Sequence, residues 1–132
     1  MYQNQEIGKW GECVAVKFLE ENDYEIIDRN FRCRQGEIDI VAKNKEYIIF
    51  IEVKTRSYIF FGNPVEAVDK RKKKNIYHAA KYFLHINKLE ECFVRFDIIE
   101  VFIKKNGFKI NHIKQVWWYF KYFINVKNDT KT

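Results

Sequence analysis

The sequence is poor in glycine, proline and cysteine, with five, one and three of these residues among 132. This scarcity, together with 47% hydrophobic and 17% aromatic residues, excludes a disordered tail, a collagen-like chain and a flexible linker. The length predicts one compact domain with a buried core. We expect that domain to span residues 1–124, followed by a polar tail at residues 125–132.

Disulfide frameworks, cysteine metal sites and membrane spans also lack support. Cys13, Cys33 and Cys92 are odd in number, far apart and without a C-x-x-C pair, so we interpret them as small buried or half-buried apolar side chains. No apolar run reaches the roughly 20 residues needed to cross a bilayer, and from the polar residues after Met1 we expect no signal peptide. We therefore expect a cytoplasmic protein with no membrane partner.

What the sequence does have is positive charge. Its 24 Lys and Arg residues exceed its 18 Asp and Glu residues, giving a formal net charge of +6. A basic excess of this size suits a polyanionic partner, with nucleic acid ahead of a membrane surface. Charge alone leaves DNA and RNA both open.

The hydrophobic pattern predicts two helices and five strands. Apolar side chains at Ile7, Trp10, Val14 and Leu19 recur at helical spacing, so residues 6–22 should form a helix with that face on the core. Strand patterns occupy residues 24–31, 37–42, 47–54, 93–103 and 108–113. A second helix should begin at Asn63-Pro64-Val65-Glu66, which combines a capping residue with a proline in the first turn.

The order of these elements predicts a single α/β domain with a mixed sheet. Short connections make the first three strands an antiparallel meander, and the crossover through the second helix makes the next strand parallel to the third. Asn106-Gly107 predicts a C-terminal hairpin. The aromatic segment 117–123 has no clear period; we expect it to pack on the sheet or form a dimer contact, with stacking on unpaired bases as the alternative.

Ionisable side chains on two of the predicted strands carry the chemistry. Alternation puts Glu37 and Asp39 on one face of the second strand, with Ile38 and Ile40 on the other. In the third strand Glu52 and Lys54 share a face, so Asp39, Glu52 and Lys54 can project from one surface if these strands are neighbours. Grouped charges on a largely apolar sheet carry a desolvation cost, which a bound divalent cation would offset.

Hard oxygen ligands suit Mg²⁺ or Mn²⁺, which keep several waters and use one or two protein carboxylates. Asp39 and Glu52 would hold the cation, with the carbonyl of Val53 as a candidate third ligand. The expected chemistry is phosphodiester hydrolysis, in which Lys54 orients water or stabilises developing charge. Glu12, at the border of the apolar face of the first helix, is a candidate to complete the acidic set.

The alternative to a metal site is an exposed ladder of ion pairs on the solvent face of the sheet, which would contribute little stability. Spacing alone does not choose between these two interpretations of Asp39, Glu52 and Lys54. Glu37 is interpreted as a supporting or structural residue rather than a ligand, because Asp39 lies deeper in its strand.

Basic residues flank the predicted site, and we interpret them as nucleic-acid contacts. A run of five cations lies at residues 70–74, and its third member falls on the apolar stripe of the second helix and should lean toward the sheet. A solvated surface is the alternative for this run. The candidate phosphate contacts are Arg32, Arg34, Arg56, Lys70, Arg71, Lys72, Lys73 and Lys74.

A longer string of motifs carries a resemblance to a known family. It consists of Gly11-Glu12, Asn30-Phe31-Arg32, Gly36-Glu37-Ile38-Asp39, Glu52-Val53-Lys54-Thr55-Arg56 and Gly62-Asn63-Pro64-Val65-Glu66-Ala67-Val68. Asp39 followed by Glu52-Val53-Lys54 resembles the D…(D/E)-x-K signature of restriction-endonuclease-like nucleases. The whole string resembles the bacterial YraN-like family, related to archaeal Holliday-junction resolvases, over residues 6–114.

The resemblance implies a helix, three strands, a helix and a strand as the core, and it implies a site role for Glu12. We therefore expect a metal-dependent endonuclease acting on DNA, with branched structures as candidate substrates. Cutting a junction would require two sites, so a homodimer would be expected. The competing hypotheses are a nucleic-acid-binding module of the same fold without turnover, and an assembly protein joined through residues 117–123.

Overall fold

A computed structural model describes the backbone of residues 2–57 and 70–116 and the side chains of residues 5–57 and 72–116. The helices are α1 (Tyr2–Glu21) and α2 (Lys70–Ile86). The strands are β1 (Glu25–Cys33), β2 (Gly36–Asn44), β3 (Tyr47–Ser57), β4 (Phe93–Lys104) and β5 (Gly107–Ile113). The order of elements expected from the sequence is confirmed. The expected start of the second helix at Asn63, the aromatic segment 117–123 and the tail at 125–132 lie outside the described residues.

The five strands form one mixed sheet in the order β1-β2-β3-β4-β5. Only β3 and β4 are parallel among these neighbours, because the connection between them crosses through α2; the other pairs are antiparallel. The hairpin expected at Asn106-Gly107 is confirmed between β4 and β5, with Lys104 opposite Gly107. Gly107 has a φ of 129°, a conformation that a side chain would strain.

Within the described ranges, α1 covers one face of the sheet and α2 the other, and alternate residues of β3 pack into the two layers. Ile49 and Ile51 belong to a buried cluster with Ala15 and Leu19 of α1. Phe50 belongs to the opposite cluster, where its ring lies 5.8 Å from that of Phe83 of α2. Burying each such side chain contributes about 1.5–3 kcal/mol, so β3 is the central support of the fold.

The first turns of α1 depart from the expected core face. Ile7 and Trp10 are 36% and 40% exposed, whereas Ala15 and Leu19 are fully buried. Ile7 lines an open cleft, and Trp10 lies edge-on to Phe108 with 5.4 Å between the ring centroids. Helical periodicity identified the correct face, but of these residues only those in the C-terminal half of the helix are fully buried against the sheet.

Strand β1 is longer than expected, and β2 does not alternate strictly. Because β1 continues to Cys33, Arg32 lies in a strand rather than in the following turn. Ile38 packs in the cluster under α2 and Ile40 in the cluster under α1, so the expectation that they share a face is wrong. The neighbouring strand is irregular at this level, since Asn30 has a φ of 54°, and the change of face falls at Asp39.

A buried polar network tethers β4 to the end of β5. The Asp97 carboxylate, 1% exposed, accepts hydrogen bonds from the Arg95 guanidinium and the backbone amide of Gln115, and contacts the His112 ring at 2.7 Å. Arg95 also donates to the Tyr24 hydroxyl at 2.8 Å. The hydrogen bonds outweigh the effect of burial and lower the pKa of Asp97, so the carboxylate stays charged.

The three cysteines are free. Cys33 and Cys92 are half-buried against the cluster under α2, as expected, but Cys13 is exposed on α1 and the buried interpretation was wrong there. It faces the solvent side of a helix whose core-facing positions are Ala15 and Leu19. No helix among the described residues is long and apolar enough to cross a membrane.

Candidate metal and nucleic-acid site

Asp39 fills the gap where β2 and β3 separate. The paired register of these strands ends at Ile40 opposite Ile51. Beyond that point the backbone amide of Val53 donates to Asp39 Oδ2 at 2.8 Å, in place of a backbone acceptor on β2. One carboxylate thus satisfies an amide that would otherwise lack a strand partner, and it is fixed between the strands.

Two clefts, one on each side of the sheet, meet at this gap. The cleft under α2 has a volume of about 210 Å³ and is lined by Glu52, Lys54 and Lys72 among others. The cleft beside α1 is larger, about 740 Å³, and its lining includes Glu12 and Arg32. Both clefts share Glu37, Asp39 and Val53. Asp39 therefore does not project from one face, as alternation predicted, but borders both.

The environment of Asp39 concentrates negative charge. Burial raises the pKa of Asp39 to about 6; the hydrogen bond from Val53 opposes this rise, and the charges of Glu12, Glu52 and Glu37 add to it. A carboxylate held in this way is stabilised by any cation that comes to lie between it and its acidic neighbours. The site thus holds the acids close together, with the Lys72 ammonium near enough to interact electrostatically with Asp39.

Glu52 has one satisfied oxygen and one that is not. Its Oε1 is 2.7 Å from Lys72 Nζ and 3.4 Å from Lys54 Nζ. Its Oε2 is buried without a hydrogen-bond partner. An unsatisfied buried carboxylate oxygen costs on the order of 1–3 kcal/mol, so a ligand at Oε2 would be stabilising.

The residues at the gap fit a small divalent cation. Asp39 and Glu52 supply carboxylates. The amide and the carbonyl of one strand residue lie on the same side of the strand, and the Val53 amide is directed at Asp39 of β2. We therefore infer that the Val53 carbonyl also faces β2. Within the described ranges, no three His, Cys, Asp or Glu side chains form a ligand cluster. Two carboxylates and one carbonyl, completed by water, are sufficient for Mg²⁺ or Mn²⁺.

A glycine places Glu12 beside the gap. A Cβ on Gly11 would overlap Thr55 Oγ1 of β3, so only glycine lets α1 approach the strand this closely. The next residue, Glu12, then reaches the cleft on the α1 side. Burial raises the pKa of Glu12, with Arg29 opposing the shift, and its charge in turn acts on Asp39.

A second glycine places α2 over the other cleft. A Cβ on Gly36 would lie 3.0 Å from the backbone oxygen of Asn75. This close approach holds the first turns of α2 over the sheet, where Lys72 reaches Glu52. The expectation that Lys72 leans toward the sheet is confirmed.

The other basic candidates are dispersed. Arg32 pairs with Glu37 at 3.2 Å, and both are exposed at the mouth of the clefts. Arg34 is exposed in the turn between β1 and β2. Lys73 and Lys74 follow Lys72 on α2, with Lys74 exposed, while the side chains of Lys70 and Arg71 lie outside the described residues.

Arg56 has a partner that the sequence reading missed. Its Nε is 3.6 Å from Glu100 Oε2, and Asn111 donates to the other oxygen of Glu100 at 2.9 Å. Glu100 is only 4% exposed on β4. The available signal was an acid inside an apolar stretch of β4, since a buried carboxylate needs a partner, and the parallel neighbour β3 supplies one.

These observations define the class of protein: a mixed α/β domain with an acidic gap between two strands, flanked by lysines from a strand and a helix. The pattern of the Uncharacterised protein family UPF0102 matches residues 11–101, and the chain belongs to that family. The YraN-like resemblance of the sequence is thereby confirmed at the level of the family. The matched region runs from the glycine against Thr55 to β4 and contains the whole described gap.

Relatives of similar length support this assignment. A UPF0102 protein of Clostridium perfringens strain 13 is 46% identical over 116 residues, covering 86% of this chain and 95% of the relative. One from Acetivibrio thermocellus is 50% identical over 101 residues, 76% of this chain and 78% of the relative. One from Clostridium botulinum strain 657 is 41% identical over 119 residues, 88% and 97% of the two chains.

Proposed function

We propose that this protein is a metal-dependent nuclease of the restriction-endonuclease-like class that hydrolyses phosphodiester bonds in DNA. One observation carries the proposal: Asp39 is fixed at a strand gap beside Glu52, whose buried Oε2 has no partner. The unsatisfied oxygen and the closely spaced acids carry a desolvation cost that a bound divalent cation would offset. Bound there, Mg²⁺ or Mn²⁺ would supply Lewis acidity toward a phosphate and a water of lowered pKa.

The chain's own residues have separate tasks in this proposal. Asp39, Glu52 and the Val53 carbonyl hold the cation, and the Val53 amide fixes the Asp39 rotamer. Lys54, whose side chain is 17% exposed, faces the same cleft and donates to water or to the phosphate as charge develops. Glu12 completes the acidic set of the proposed cation site with a carboxylate from the α1 side of the gap.

Nucleic acid is the proposed substrate because the net charge is +6 and cations surround the acidic gap. Lys72 and Arg32 each line one of the two clefts. Phosphate contacts of this kind give affinity without sequence preference. We place the activity in the cytoplasm, and we propose a homodimer if the substrate is a two-fold symmetric junction.

The test is cleavage of labelled duplex, single-stranded, flap, fork and four-way-junction DNA, with matched RNA, in Mg²⁺, Mn²⁺ or a chelator. Asp39→Asn, Glu52→Gln and Lys54→Met should abolish metal-dependent cutting while remaining folded. Glu46→Gln changes an exposed acid in the β2–β3 turn and should cut like the wild type. Cutting that persists in Asp39→Asn, or in chelator, would show that this site is not the catalyst.

A non-catalytic nucleic-acid-binding module is the second candidate. It is favoured by the pairing of Glu52 with Lys54 and Lys72, which balances its charge without a metal. In that case DNA binding should be the same in Mg²⁺ and in chelator, and Asp39→Asn should leave it unchanged.

A further inference from the structure

Lys72 covers the candidate metal ligand Glu52 from the solvent side. Its Nζ lies 2.7 Å from Glu52 Oε1, and its side chain is 53% exposed while that of Glu52 is 11% exposed. Lys54 approaches the same oxygen from within the strand at 3.4 Å and is 17% exposed. The two ammonium groups therefore differ in their freedom to move, although they share one carboxylate oxygen.

A divalent cation at Glu52 would lie within a few ångströms of both ammonium groups. Like charges at such distances in a partly buried cleft repel strongly. Lys54 is confined by its strand, whereas Lys72 extends from a helix and more than half of its side chain is in solvent. The repulsion is relieved at least cost if Lys72 leaves.

We propose that Lys72 is an exchangeable counter-ion: it pairs with Glu52 in the metal-free protein and, when a divalent cation takes that carboxylate, transfers to a nucleic-acid phosphate. This inference rests on the cation site of the proposed function and adds its regulation. The metal ion displaces Lys72 from Glu52, and the displaced ammonium then binds a nucleic-acid phosphate. Binding of the metal therefore strengthens binding of the nucleic acid, and the reverse.

The exchange predicts two opposite effects of Lys72→Met. In the absence of nucleic acid, the variant should bind Mn²⁺ about fivefold more tightly than the wild type, because no ammonium has to be displaced from Glu52. It should also bind DNA more weakly in Mn²⁺ yet nearly normally in chelator, where Lys72 of the wild type is occupied by Glu52.

Two measurements test this without cleavage. Free Mn²⁺ is followed by electron paramagnetic resonance during titration of each protein alone. DNA affinity is measured by fluorescence anisotropy on a phosphorothioate duplex, in Mn²⁺ and in chelator. The matched control is Lys74→Met, which removes the same charge from an exposed position of α2 and should weaken DNA binding equally in both conditions.

The outcomes separate the two proposals. If Asp39→Asn abolishes Mn²⁺ binding, the metal site stands. The exchange is nevertheless wrong if Lys72→Met leaves the Mn²⁺ affinity unchanged, or if it weakens DNA binding equally in Mn²⁺ and in chelator. If the wild type binds no Mn²⁺, or binds it as Asp39→Asn does, the proposed metal site and the exchange both fail. Tighter Mn²⁺ binding by Lys72→Met together with a metal-dependent loss of DNA affinity supports the exchange.

Discussion

The backbone amide of Val53 donates its hydrogen bond to the side chain of Asp39, 2.8 Å away, rather than to the backbone of β2. The strands can therefore separate at this level without leaving an unsatisfied amide. The same bond fixes the carboxylate in the gap. This one contact thus gives the Val53 amide its acceptor and also positions the carboxylate of the candidate site.

Asp39→Asn should stabilise the metal-free protein at neutral and alkaline pH. The folded-state pKa of about 6 lies above the ordinary value of 3.8, so the wild type loses stability as pH rises through this window. Asparagine keeps an acceptor for Val53 without the charge. We expect a gain on the order of 1–3 kcal/mol above about pH 7 that disappears near pH 4. Urea unfolding in chelator across this range checks it, and a gain independent of pH would contradict the pKa.

Gly11→Ala should destabilise the protein by about 1–3 kcal/mol, because the added Cβ would overlap Thr55 Oγ1 and push α1 away from β3. We expect this loss even though alanine favours helices more than glycine does. Gly8→Ala is the matched control: a Cβ at Gly8 meets nothing within 4 Å, and it should stabilise by up to about 1 kcal/mol. Thermal unfolding of both variants gives the comparison. Removing the hydroxyl in a Gly11→Ala/Thr55→Ala double variant should recover part of the loss.

Asp97→Ala should be severely destabilising, by about 3–5 kcal/mol, because it leaves Arg95 and His112 without their buried partner. The lowered pKa of Asp97 means that its contribution is present above the ordinary carboxyl pKa and is lost as pH falls through the lower folded value. Denaturant unfolding near pH 7 and under acid conditions measures both effects. Glu90→Gln, at an exposed pair with His85, should change stability by less than about 0.5 kcal/mol.

Arg34→Ala and Arg56→Ala should affect different properties. Arg34 is exposed, so its loss should reduce the slope of log affinity against log salt for DNA by about one, as expected for one phosphate contact. Arg56 is held by Glu100, so its loss should lower stability by about 1–3 kcal/mol and leave the slope unchanged. Anisotropy titrations over a salt series and unfolding curves of both variants are required. A reduced salt slope in Arg56→Ala would assign Arg56 to the DNA surface instead.

Local pattern was sufficient for most of the fold. The run of β-branched residues located β3, Asn106-Gly107 located the hairpin, and the short connections specified the meander. The stripe through Ile76 also oriented Lys72 correctly. Each of these features depends on residues close together in the chain, which is why a single sequence predicts them.

The sequence by itself determined the order of elements, the mixed sheet and the grouping of Asp39 with Glu52 and Lys54. Only the tertiary structure decided that Asp39 lies in a gap open to both faces, that Lys72 contacts Glu52, and that Glu100 holds Arg56. These relationships join residues from different elements, and they depend on where strands separate and how closely glycines let helices approach. A prediction from alternation assumes that neighbouring strands stay paired along their whole length. It could not predict a site that forms where the pairing of β2 with β3 ends.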